Sequence, residues 1–184
     1  MAVESILWQR LDSPGHDACI INQNATGWKL SGSTVFLHDG NPAMLAYKVV
    51  CDADWRTLYG QVEGWLGKRQ VTFRIARTKA DSWQLNDFVV PNLETCIDLD
   101  LGFTPATNLM PLRRLDLAEG QAADVPAAWL NVSTGTLTLL RQHYARRSEA
   151  TYWYEAPIVH YAAVLTVNQF GFVIRYPGLW EAAT

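Results

Sequence analysis

Polar and apolar residues alternate with a period of two along most of this chain. In "TFRIAR" (72–77), Phe73 and Ile75 join Val71 on one side, while Thr72, Arg74 and Ala76 take the other. In "YWYE" (152–155), Tyr152 and Tyr154 lie opposite Trp153 and Glu155. Runs of this kind include "GWKLSGSTVFLHDG" (27–40), "NPAMLAYKVVCD" (41–52), "WRTLYGQVEGWLGK" (55–68), "ATYWYEAPIVHYAAVLTV" (150–167) and "GFVIRYPGLW" (171–180). They recur at roughly 8–14 residue intervals with Gly, Asn, Asp or Pro between them, the spacing of a sandwich or barrel. The best helical window is "LAEGQAADVPAAWL" (117–130), where Gly120 and Pro126 leave room for one or two turns on either side. No repeat or linker divides the chain. The pattern predicts one all-β domain over residues 1–184: a many-stranded antiparallel sheet rolled into a barrel or half-barrel, with little helix. Rolling removes exposed edges, and the interior is then either packed or hollow.

The segment "CIDLDLGFTPATNLMPLRRLDL" (96–117) departs from that monotony. Ile97, Leu99, Leu101 and Phe103 alternate with Asp98, Asp100 and Thr104, which predicts a strand bearing two acids on one face. Thr104-Pro105, Thr107-Asn108 and Pro111 then predict an ordered, non-repetitive connection, since each proline removes a backbone donor and the polar side chains can fix a turn. Arg113 and Arg114 follow. Two carboxylates on one strand face fit a brace to these arginines, a polar ligand contact, or an acid/base pair. "DWRT" (54–57) reads as a capped strand start, with Trp55 and Arg56 on opposite faces.

Composition narrows the functions. A net charge of −3 and no basic stripe argue against nucleic acid as a partner. No apolar run is long enough for a membrane helix, and the first fifteen residues lack the features of a signal peptide, so the expected location is the cytoplasm. Cys19, Cys51 and Cys96 are odd in number and widely spaced, which in a reducing compartment reads as buried hydrophobes. His16, His38, His143 and His160 form no metal-ligand spacing, and no nucleophile elbow or phosphate loop is present, so neither metal nor cofactor is expected. Eight Trp, seven Tyr and six Phe suit the walls of an apolar pocket.

"YKVVCDADWRT", "CIDLDLGFTPATNLMPLRRL", "RQHYARRSEATYWYE" and "VNQFGFVIRYPGLW" together resemble a bacterial family named for glycolipid binding and long catalogued as a domain of unknown function. The resemblance runs from "WQRLD" to "YPGLW". It implies an antiparallel sheet rolled into a half-shell, similar in shape to the periplasmic carriers that move lipoproteins between bacterial membranes. The carriers' shuttle role does not transfer without an export signal. The positions that match the family's signature, and that the resemblance nominates as ligand-binding, are Trp55, Arg56, Asp98, Asp100, Thr104, Thr107, Asn108, Arg113, Arg114, Tyr144 and Tyr176. Asn168 stands where the resemblance implies Asp in many relatives.

The leading expectation is a non-enzymatic binding protein. An apolar cavity would take a lipid or glycolipid, Asp98 and Asp100 would accept sugar hydroxyls, and Trp55 or Trp153 would stack on the sugar. The alternatives are a hydrolase-like enzyme on a lipophilic or glycolipid substrate using Asp98 and Asp100, and a ligand-free structural or interaction protein. Oligomeric state is not legible.

Overall fold

The computed structural model describes residues 2–183. Among these residues, fifteen strands form one sheet. The first eight are β1 (Ala2–Arg10), β2 (Gly15–Asn24), β3 (Gly27–His38), β4 (Asn41–Asp52), β5 (Thr57–Leu66), β6 (Arg69–Arg77), β7 (Trp83–Leu85) and β8 (Phe88–Val90). After β9 (Asp98–Asp100) comes the α-helix α1 (Leu109–Leu115), then β10 (Ala122–Asn131), β11 (Thr136–Ser148), β12 (Thr151–Ala156), β13 (Tyr161–Val167), β14 (Val173–Tyr176) and β15 (Trp180–Ala182). Their order across the sheet is 8-7-6-5-4-3-2-1-15-14-13-12-11-10-9. Two antiparallel meanders are thus joined where β1 meets β15. Among the described residues, only the pairing of β9 with β10 is parallel.

That order forces the sheet to roll. β8 and β9 occupy its opposite edges, yet Val90 and Asp98 are only eight residues apart in sequence. Such a segment spans at most ~29 Å, whereas fifteen flat strands would hold the edges about 67 Å apart. The ladder does not close, but the far ends are stitched across the gap. Thr57 N donates to Ile97 O (3.2 Å), Leu99 N to Thr57 Oγ1 (3.1 Å), Trp83 Nε1 to Cys96 O (3.1 Å) and Arg69 Nη2 to Val132 O (3.1 Å). Gly60 lets β9 lie against β5, since a Cβ there would sit 2.3 Å from Leu99 Cδ2.

The alternation is what turns one face of each strand inward. Val71, Phe73 and Ile75 of β6 are buried, as are Leu45, Tyr47, Val49 and Cys51 of β4 and Tyr152 and Tyr154 of β12. Trp8, fully buried, ties the two meanders by donating its indole N–H to Val173 O at 2.6 Å. All three cysteines are free and buried. Burial pushes the Cys51 and Cys96 thiols up to about 12 and about 11, so they behave as apolar packing groups.

Three local expectations need correcting. The helical window 117–130 contains most of β10; Pro126 is accommodated just outside Ala127–Trp129, the part of that strand which β9 covers. The strand over 97–103 stops at Asp100, because Gly102 takes φ +67 and its N–H turns back onto Asp100 Oδ1 at 2.7 Å. The connection that follows is ordered but helical: a 3-10 turn over Pro105–Asn108 runs directly into α1. Thr104 caps it by accepting from Ala106 N at 3.1 Å, with Pro105 at the first helical position, where a missing donor costs nothing. Every residue from Phe103 to Leu112 is buried, so this short helical segment is the plug that fills the roll.

Candidate functional site

The plug distributes the polar signature residues among three places. The first is a brace. Arg114, on α1, reaches Asp98 on β9 with both prongs, Nη2 to Oδ2 at 2.6 Å and Nε to Oδ1 at 3.2 Å. Asp98 is buried because β9 is covered on both faces, Leu99 against β5 and the acids against the plug. Burial pushes its carboxyl up, and the Arg114 hydrogen bonds and charge oppose that shift.

The second place is a hollow of about 250 Å³ between the plug and the β10–β15 half of the sheet. Asp100 lies in its lining, holding Gly102 N with Oδ1 and Gln142 Nε2 with Oδ2, each at 2.7 Å. Gln142 also donates to Tyr154 OH at 2.9 Å. Tyr154, Tyr161 and Tyr176 form an aromatic wall with ring centroids 5.0–6.1 Å apart, and Tyr161 OH donates to Pro177 O at 2.7 Å. Thr104, Asn108, Trp129 and Trp180 also line the hollow. Gly102 lets Trp129 close in: a Cβ there would sit 2.4 Å from Trp129 Nε1. Behind the lining, Asn108 Nδ2 donates to Tyr144 OH at 2.7 Å, and Thr107 Oγ1 accepts from Leu101 N at 3.4 Å. Burial pushes the Asp100 carboxyl and the Tyr144, Tyr154 and Tyr176 phenols upward, which keeps those phenols neutral.

The third place lies beyond α1, where Arg113 sits with its guanidinium 5.4 Å from the Trp55 ring and 5.3 Å from that of Phe170. Trp55 stacks on Trp28 with centroids 4.3 Å apart, so its face is taken. Trp55 has φ +66 and precedes β5, which removes the alternation expected of Trp55 and Arg56. Asp52 Oδ1 caps that turn by accepting from the N–H groups of Asp54 and Arg56, and the Arg56 side chain is exposed. Asn168 Oδ1 accepts from Gly171 N and Phe172 N, both at 2.9 Å, work for which a carboxylate charge is unnecessary.

Of the eleven signature positions, then, Asp100, Thr104, Asn108 and Tyr176 line the hollow. Tyr144 and Thr107 support it from behind, and Asp98, Arg114, Arg113, Trp55 and Arg56 lie elsewhere. Trp153 is on the outer face of β12, donating its indole N–H to Glu155 Oε1. Sequence reasoning passed over Tyr154, Tyr161, Gln142, Trp129 and Trp180. The inward side of "YWYE" was a visible pointer to Tyr154, but nothing local marks Gln142 or Trp129.

A deeper polar cluster continues from the hollow. Thr104 Oγ1 lies 3.2 Å from Tyr47 OH, which donates to Asp17 Oδ1 at 2.7 Å. Asp17 is fully buried, its Oδ2 has no hydrogen-bond partner among the described residues, and burial raises its carboxyl to about 7.

Among the described residues, no helix is long and apolar enough to cross a membrane. A DUF1089 family protein from Pseudomonas aeruginosa, known from its crystal structure, is similar with a TM-score of 0.80 and 27% sequence identity over 91% of each chain. No curated protein matches the chain. The family model described as "Putative glycolipid-binding" matches residues 5–182, nearly the whole length, and the chain belongs to that family.

Proposed function

We propose that this protein binds a glycolipid without chemically altering it, holding the sugar headgroup in the hollow lined by Asp100, Tyr154 and Tyr176. The observation that carries this reading is the composition of that hollow. Aromatic faces on one wall suit the apolar face of a sugar ring, and a carboxylate with spare lone pairs suits its hydroxyls. Its volume, about 250 Å³, is below the usual range for a whole drug-sized ligand, so the lipid tail lies outside. Val159 at the rim and its neighbour Ile158, 44% and 62% exposed, offer that tail an apolar surface. This revises the expected division of labour, in which the apolar cavity took the lipid and both acids, with Trp55 or Trp153, met the sugar.

Hydrolysis is less well supported. Asp98 is consumed by Arg114, so the two acids do not both face the hollow as an acid/base pair. The plugged interior favours the ligand-free interaction reading as the alternative. Three unpaired, buried thiols support a reducing, cytoplasmic location.

The test is native mass spectrometry of protein purified from its own host, followed by titration of the delipidated protein with octyl glucoside, read by tryptophan emission. A retained glycolipid and a saturable emission change below the micellar concentration are expected. A bare mass with no response to the glycoside, a free sugar or a phospholipid would favour the interaction-protein reading.

A further inference from the structure

We propose that the hollow discriminates by charge, preferring a sugar that carries a protonated amine, then a neutral sugar, and rejecting an anionic one. This rests on the reading that the hollow receives a sugar headgroup.

The two acids of β9 are electrically different. Asp98 has a full countercharge in Arg114. Asp100 has only neutral donors, the Gly102 N–H and the Gln142 amide, and among the described residues it forms no ion pair. A carboxylate has about four acceptor sites, and these two donors leave half of them open. Not one residue lining the hollow is cationic, and its buried tyrosines stay protonated at neutral pH. Among the described residues that line the hollow, Asp100 is therefore the one charge that a bound headgroup meets.

The cations a phosphate or uronate would need are on other surfaces. Arg114 is engaged by Asp98. Arg113 lies over the Trp55 and Phe170 rings, at a separate hollow it shares with Asp116 and Glu149. An anion entering beside Asp100 would meet like charge in a poorly solvated space with nothing to offset it. An ammonium would instead complete a charge-assisted hydrogen bond.

The experiment is calorimetric titration of the intact protein with three octyl glycosides of the same ring size: a glucosaminide, a glucoside and a glucuronide. Affinity is expected to fall in that order, by about tenfold from amine to neutral, the worth of one charge-assisted contact. Raising the pH above the amine's own pKa should bring the glucosaminide down to the glucoside, a readout on unaltered protein. Asp100→Asn should erase the ranking. Glucuronide binding as tight as glucoside, or an amine preference that persists at high pH, overturns the proposal while leaving the headgroup reading intact. Failure of all three to bind removes that reading, and this inference with it.

Discussion

Arg114 grips Asp98 with both nitrogens of its fork, at 2.6 and 3.2 Å, and so pins α1 to the edge strand β9. The Asp98 side chain is only 2% exposed and that of Arg114 17%, so removing one partner strands the other's charge in the interior. Arg114→Ala should therefore destabilise by about 3–5 kcal/mol. Arg114→Lys should recover only part, because an ammonium cannot occupy both carboxylate oxygens. Urea unfolding of the two variants measures this. Equal stability of Arg114→Ala and the parent would mean that the plug does not depend on the brace.

Gly102 has φ +67, and a Cβ there would sit 2.4 Å from Trp129 Nε1. Gly102→Ala should cost about 1–3 kcal/mol through the left-handed backbone. It should also weaken glycoside binding by displacing Trp129. A melting curve and one titration check both. Undiminished binding would show that the Trp129 position is immaterial to the ligand.

Asp17 makes stability depend on pH in a predictable direction. Its folded pKa, about 7, lies above its ordinary 3.8, so the folded state holds the proton more tightly. The stabilising contribution is full below the unfolded value and is lost as pH rises through about 7, at roughly 1.4 kcal/mol per pH unit between the two. Asp17→Asn mimics the protonated acid and should be more stable than the parent at pH 8, with a smaller difference at pH 5. Urea midpoints at both pH values test it. The same difference at each pH would mean that Asp17 does not take up a proton on folding.

Much of the architecture was legible because burial on one strand face writes itself into the sequence. Val71, Phe73 and Ile75, or Tyr152 and Tyr154, point inward as their spacing demands. The plug was not legible. Its turn is short, begins at Thr104-Pro105 and draws its stability from tertiary packing around Asn108 and Leu109, so no helical periodicity had room to develop. The same limit applied to the site. The acids and arginines of 98–114 were conspicuous in one dimension, but only the parallel placement of β9 decides that Arg114 meets Asp98 while Asp100 meets Gln142. Trp129 lines the hollow and Gln142 holds its Asp100, both from strands whose sequences carry no local mark of it.

The central claim, that the hollow receives the headgroup, is tested most directly by the indole N–H resonances of the eight tryptophans during titration with octyl glucoside. Trp129 and Trp180 line the hollow, whereas Trp28 and Trp55 stack on each other beside Arg113. Saturable movement of the Trp129 and Trp180 signals, with Trp28 and Trp55 unmoved, is the predicted result. Movement confined to Trp28 and Trp55, or to none of the eight, would contradict it.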